Sequence, residues 1–128
     1  MINLEKGILE ISKDLVVKPG YTFDEFKNCQ YYNNQDGICV IDLNEKVFIE
    51  DRCYLVELFF RKEVIYMVSL VCCDRDFTVQ DEFKRKEFHD EILKGYGITG
   101  SKEYDWGSVS SDYDRRGNTS SINFTYHI

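Results

Sequence analysis

One proline and eight glycines in 128 residues leave no room for a collagen-like, proline-rich or linker-dominated chain. Long apolar runs are missing too. The most apolar stretch, 64–73, and the longest uncharged one, 117–128, both fall short of the ~20 apolar residues of a membrane-spanning helix. The opening MINLEKGILEISKD carries Glu5, Lys6, Glu10, Lys13 and Asp14 where an export signal needs an unbroken apolar core, so a cytoplasmic protein is expected. The five cysteines, at 29, 39, 53, 72 and 73, include no C-x-x-C pair. An odd number of scattered thiols fits reduced, mostly buried cysteines better than a disulfide framework or a zinc site completed by His89 and His127.

Positive charge is scarce. Sixteen Lys and Arg against 23 Asp and Glu give a net charge of −7, with an isoelectric point near 4.8. Such a surface repels phosphate backbones, which argues against nucleic acid and in favour of a basic protein as partner. What is abundant is core material: 43% apolar residues, 15% of the chain aromatic. The length suits one domain, residues 1–128, without a second core.

Turn signals divide this domain into elements. Residues 8–11 and 15–17 read as short strands around Ser12, Lys13 and Asp14. Thr22 with Glu25 forms a capping-box pattern, predicting a helix of about two turns docked through Phe23 and Phe26. Residues 38–43, 47–50, 54–60 and 64–72 read as four strands with short polar links, an antiparallel meander. The last of them is apolar on both faces and is expected to be central. Thr78 and Asp81 precede a helix over 83–96 in which Phe88, Ile92, Leu93 and Tyr96 share a stripe, closed by Gly95 or Gly97. On that helix Lys84, Arg85 and Lys86 read as a solvated surface. Residues 106–112 and 119–128 form a hairpin, with strict alternation through Ile122, Phe124, Tyr126 and Ile128. The expected fold is α+β, a single mainly antiparallel sheet ordered β-β-α-β-β-β-β-α-β-β with two helices packed on one face. The other face is expected to be partly open or paired with another subunit.

Motifs for chemistry are few. Asp112, Asp114 and Gly117 match three positions of a calcium loop, but Arg116 stands where an oxygen ligand is required and Asn123 where a bidentate Glu is. Cys72 or Cys73 with His89 or His127 could form a nucleophile and base, yet Cys72 sits on an apolar strand and no histidine is near it in sequence. No phosphate loop, G-x-S-x-G or H-E-x-x-H occurs. No cofactor or metal is implied.

The distribution of acid is the remaining signal. Residues 36–57 hold six acids against Lys46 and Arg52, a net of −4 out of the chain's −7. A second group interleaves carboxylates with aromatics. The candidate partner-binding residues are therefore Asp42, Glu45, Glu50 and Asp51, with Glu103, Tyr104, Asp105, Trp106, Asp112 and Tyr113. Solubilising decoration and edge protection is the plainer alternative for the same residues.

In size, charge and organisation the chain resembles the small acidic immunity proteins that bacteria make against secreted toxin domains. Its Trp106-Gly107 arm, Tyr113-Asp114 turn, Arg116-x-Asn118 stretch and Ile122-x-Phe124-x-Tyr126 ending are similar to the C-terminal hairpin of small bacterial proteins. The resemblance implies a non-enzymatic inhibitor that masks the active site of a basic cognate toxin such as a nuclease. It transfers no site residue. Two other readings stay open: a small enzyme or ligand-binding domain with a pocket between sheet and helices, and a homodimeric structural subunit.

Overall fold

The computed structural model describes residues 1–127; Ile128, the end of the alternating arm, lies outside the described residues. The elements are β1 (Ile2–Asn3), β2 (Ile8–Ser12), β3 (Leu15–Val17), α1 (Phe23–Phe26), β4 (Val40–Ile49), β5 (Arg52–Arg61) and β6 (Val64–Cys72). A 3-10 turn (Val79–Asp81), α2 (Glu82–Gly95), β7 (Ser101–Tyr104), β8 (Gly107–Asp114) and β9 (Thr119–Tyr126) follow. The fold is α+β and the pairing antiparallel throughout, as expected.

The expected single sheet is in fact two. The first three strands form their own sheet, and six strands form another in the order β4-β5-β6-β9-β8-β7. Short N-terminal strands alternate buried Leu9, Ile11, Leu15 and Val17 with the less buried Ile8, Glu10, Ser12 and Val16. They pair only with one another and pack their buried side chains into the same core as the large sheet. One of the chain's two longest strands merges two expected ones: 38–43 and 47–50 are one strand, β4, interrupted by a bulge between Asp42 and Lys46. Asn44 at that bulge has φ 61°, a conformation asparagine tolerates.

Both helices cover one face of the large sheet. The capping box of α1 is reciprocal: the Glu25 amide donates to Thr22 Oγ1 at 3.2 Å and the Thr22 amide to Glu25 Oε2 at 2.9 Å. The helix stops after one turn instead of two, because the Gln30 amide is diverted to Asp14 Oδ2 at 2.7 Å and the chain leaves in i→i+3 turns. Phe23 and Phe26 pack on Phe60 of β5. Helix α2 buries Phe88, His89, Ile92 and Leu93. It closes with Gly97 at φ 80°. The Ile98 amide reaches Leu93 O and the Gly97 amide reaches Lys94 O, a Schellman ending.

Strand β6 is central, as its two apolar faces require. Its last residue, Cys72, lies beyond the β9 pairing, which ends at the Leu70–Ile122 pair. Helix α2 supplies the missing partners. The Cys72 amide donates to His89 Nε2 at 3.0 Å, and Arg85 Nη1 donates to Cys72 O at 2.7 Å. Arg85 also pairs with Glu82 at 3.0 Å, and Glu82 Oε2 accepts from Ser120 Oγ at 2.6 Å. Residues 82, 85 and 89 lie on one helix face and stitch the ends of β6 and β9 together. Arg85 is therefore not the solvated residue expected; its side chain is 14% exposed.

The hairpins β4–β5 and β5–β6 turn through Glu50–Asp51 and Lys62–Glu63, all four at positive φ without a glycine. Left-handed backbone costs such residues about 1–2 kcal/mol each. Replacing Lys62 by Asn and Glu63 by Gly is expected to raise stability by about 1 kcal/mol, read as a higher urea midpoint at constant m-value.

Candidate functional site

The large sheet has one covered and one uncovered face. On the covered side, Tyr54, Val56, Leu58 and Phe60 of β5 stand beside Ile65, Val68 and Leu70 of β6 and Ile122, Phe124 and Tyr126 of β9, all buried. Between sheet and α2 the packing leaves a cavity of only about 10 Å³, lined by Tyr54, Leu70, Ile92 and Phe124 among others. That is about the room of one water, whereas a larger pocket of about 190 Å³ opens between Phe23 of α1 and Phe60 of β5, at Ile38, Cys39 and Lys62.

The uncovered face is organised in rows that cross the strands. One row runs Asp42–Glu57–Ser69–Asn123–Ser110–Ser101 through successive register pairs and is polar throughout. On either side of it, β4, β5 and β6 place apolar residues: Val40, Phe59 and Met67 to one side, Leu55 and Val71 to the other, with Phe48 beyond. Phe48 is 73% exposed, Leu55 44% and Val40 43%. Asp42 and Glu57 are directly opposed across β4 and β5. Like charges at paired positions destabilise a sheet; Asp42 Oδ1 accepts from the Asn44 amide at 2.7 Å, and among the described residues neither carboxylate joins a salt bridge.

The acidic candidates do not converge on one spot. Asp42 lies on β4 and Glu103 on β7, the two opposite edges of the six-stranded sheet. Five strand spacings separate them, roughly 24 Å at ~4.8 Å each. Asp42, Glu103 and Asp112 all have the strand parity of the uncovered face, and Glu57 joins them, a residue the candidate group omitted. Asp112 is held by Asn123 Nδ2 at 2.7 Å and Ser110 Oγ at 2.6 Å.

Other candidates have internal duties. Glu50 accepts from the Ile2 amide at 2.6 Å and from the Tyr96 hydroxyl at 2.5 Å, tying the N-terminal strand and the end of α2 to the β4–β5 turn. Burial first, then the Glu50 carboxylate, push the Tyr96 hydroxyl well above the usual tyrosine range. Tyr113 donates to Asn118 Oδ1 at 2.6 Å across its hairpin. Trp106, expected as an exposed anchor, is buried: its indole stacks on Tyr104 and Phe124, and Nε1 donates to Leu4 O at 2.7 Å. Asp105 beside it in the chain is exposed at the turn, while the ring itself is buried. Asp51 and Asp105 are exposed at turns.

A depression of about 260 Å³ opens beside the bulge of β4. Asp42, Asn44 and Glu45 form one wall; Gln30, Tyr31, Asn33 and Gln35 form the other. Burial and then the charge of Glu45 raise the pKa of Tyr31, which keeps its hydroxyl protonated as a donor. The concavity is polar, acidic and next to the exposed apolar rows.

Among the described residues no group of three or more His, Cys, Asp or Glu side chains is arranged to hold a metal ion, and no helix is long and apolar enough to cross a membrane. The buried titratable cluster Glu82, Arg85 and His89 is occupied by the bonds that join β6 to β9, leaving only His89 Nδ1 without a partner. Compared with models of protein families, with curated proteins and with solved structures, the chain gives no match.

Proposed function

We propose that this chain is a protein-binding domain that docks a basic partner on the uncovered face of its six-stranded sheet. The observation that carries the reading is the combination on β4 and β5: exposed Phe48, Leu55 and Val40 flank the opposed carboxylates of Asp42 and Glu57. Apolar area supplies the anchor, and unpaired acid speeds encounter and selects the sign of the partner. Within this reading the partner is a toxin domain, the mechanism is occlusion of its cationic active site, and the compartment is the cytoplasm. A lysine or arginine of the partner would enter the depression between Glu45 and Tyr31.

The tight packing between the sheet and α2 favours docking on the open face over a ligand chamber under that helix. A second copy of the chain is the poorer occupant, because stacking this face on itself sets its carboxylates against carboxylates. Edge pairing is discouraged too. The bulge interrupts β4, and β7 has only four residues, Lys102 among them.

The test takes as candidate partner the C-terminal domain of any large secreted protein that the neighbouring reading frame encodes. Reversing both charges, Asp42→Lys with Glu57→Lys, is expected to slow association at least about tenfold at low salt and to flatten its salt dependence. Phe48→Ser is expected to act on the off-rate instead. An unchanged on-rate in the doubly reversed chain, with native stability, would overturn the assignment of this face.

A further inference from the structure

Two thiols meet at the end of the β5–β6 ladder. Cys53 on β5 and Cys73, just past β6, follow the paired residues Tyr54 and Cys72 by one step. The Cys73 amide donates to Cys53 O at 2.9 Å, so the two residues face each other across the antiparallel pair. Their Sγ atoms are 2.9 Å apart, well inside the contact distance of two unbonded sulfurs. A disulfide requires facing Cα atoms about 4.4–6.8 Å apart, and opposed residues in antiparallel strands meet that condition without backbone movement. The sequence places them twenty residues apart with no motif between; only the hairpin register brings them together.

We infer that Cys53 and Cys73 are a redox-active dithiol, a modification site that closes to an intrachain disulfide under mild oxidation. The surroundings hold the pair in place. The Cys53 amide donates to Asp74 Oδ1 at 2.9 Å, and Arg52 pairs with Asp74 at 3.4 Å. Cys73 is partly exposed, whereas Cys53 is buried, which makes Cys73 the point of entry. Burial and the neighbouring thiol raise the Cys73 pKa to about 11, so exchange is slow near neutrality and quickens with alkali. The site adjoins Phe48, whose register partner is Cys53, yet its chemistry does not depend on the proposed docking of a partner.

The oxidant is a small disulfide such as oxidised glutathione. The Cys73 thiolate attacks one glutathione sulfur, forming a mixed disulfide and expelling the other glutathione as a thiolate that takes up the Cys73 proton. Cys53 then loses its proton and attacks the Cys73 sulfur. The Cys53–Cys73 bond forms as the mixed disulfide breaks, and the second glutathione leaves as its thiol. Two protein S–H bonds are lost and one glutathione disulfide is reduced to two thiols.

The full-length Cys39→Ser chain is the substrate for the test, because Cys39 is the exposed cysteine and would be capped first. It keeps four of the five thiols. After oxidised glutathione at pH 8, the thiol titre of the denatured chain is expected to fall from four to two. The peptides containing Cys53 and Cys73 should be joined in a non-reducing digest, with the mass of two hydrogens lost. Adding Cys73→Ser should abolish that link. A chain that instead gains a persistent glutathione on Cys73, joins Cys72 to either sulfur, or keeps four free thiols under the same oxidation would overturn the inference.

Discussion

Trp106→Ala is expected to cost about 3–5 kcal/mol of folding stability. The indole lies between Tyr104, 5.3 Å away and nearly parallel, and Phe124 and Tyr126 of β9. Its Nε1 donates to Leu4 O, and the backbone of Gly7 presses on the ring so closely that an added Cβ would stand 2.4 Å from it. Nearby, the Tyr126 hydroxyl donates to Gly7 O at 2.9 Å. Trp106 therefore fixes the N-terminal layer to the large sheet. Removing it opens a cavity and leaves the Leu4 carbonyl short of a donor. Gly7→Ala attacks the same joint from the other side, since φ at Gly7 is 69° and the ring blocks the side chain. Urea unfolding followed by far-ultraviolet circular dichroism measures both variants. Near-native stability in Trp106→Ala together with a weakened complex would return the residue to the role of surface anchor.

Acid should unfold the chain through His89. The ring is fully buried, and its Nε2 accepts from the Cys72 amide, so the neutral tautomer carries its proton on Nδ1. Burial first, then the Arg85 cation, pull its pKa from 6.5 down to about 4; Glu82 and Asp90 pull the other way and Lys86 adds to the lowering. Between those values the unfolded chain binds a proton that the folded chain refuses. Stability from this residue is complete above pH 6.5 and falls as the pH drops, by about 3 kcal/mol on reaching pH 4. His89→Gln loses about 1–2 kcal/mol at pH 7.5 by weakening the tie to β6. It should then lose less on acidification, so the two stability curves converge. Denaturant titrations at pH 7.5, 6, 5 and 4.5 give the comparison, and parallel curves would exclude His89 as the source of acid sensitivity.

Much of this arrangement was legible in residues close together in the chain. The Thr22–Glu25 box, the glycine ending of α2 at Gly97 and the alternation from Ser120 to Tyr126 are local, because caps, turns and pleats need only neighbours. Thr78 and Asp81 marked the start of α2 correctly, although neither side chain caps it. Misreadings came where a long-range partner decided the outcome. The segment around Asn44 looks like a turn until β5 pairs with both sides of it. Arg85 looks like a solvated residue, and His89 has no Cys72 near it in sequence, until the unpaired end of β6 meets them.

The same division holds for the candidate site. Acidity of residues 36–57, a central β6 and the absence of known catalytic motifs follow from the amino-acid order alone, since composition and two-residue periodicity do not depend on who the neighbours are. Which acids share a surface was settled only by strand order. Placing β9 between β6 and β8 sends the two acidic groups to opposite edges, opposes Asp42 to Glu57 and turns Trp106 inward. Register also brings Cys53 beside Cys73. Non-local pairing is chosen by the joint burial of whole strand faces, and no short window of sequence contains that sum.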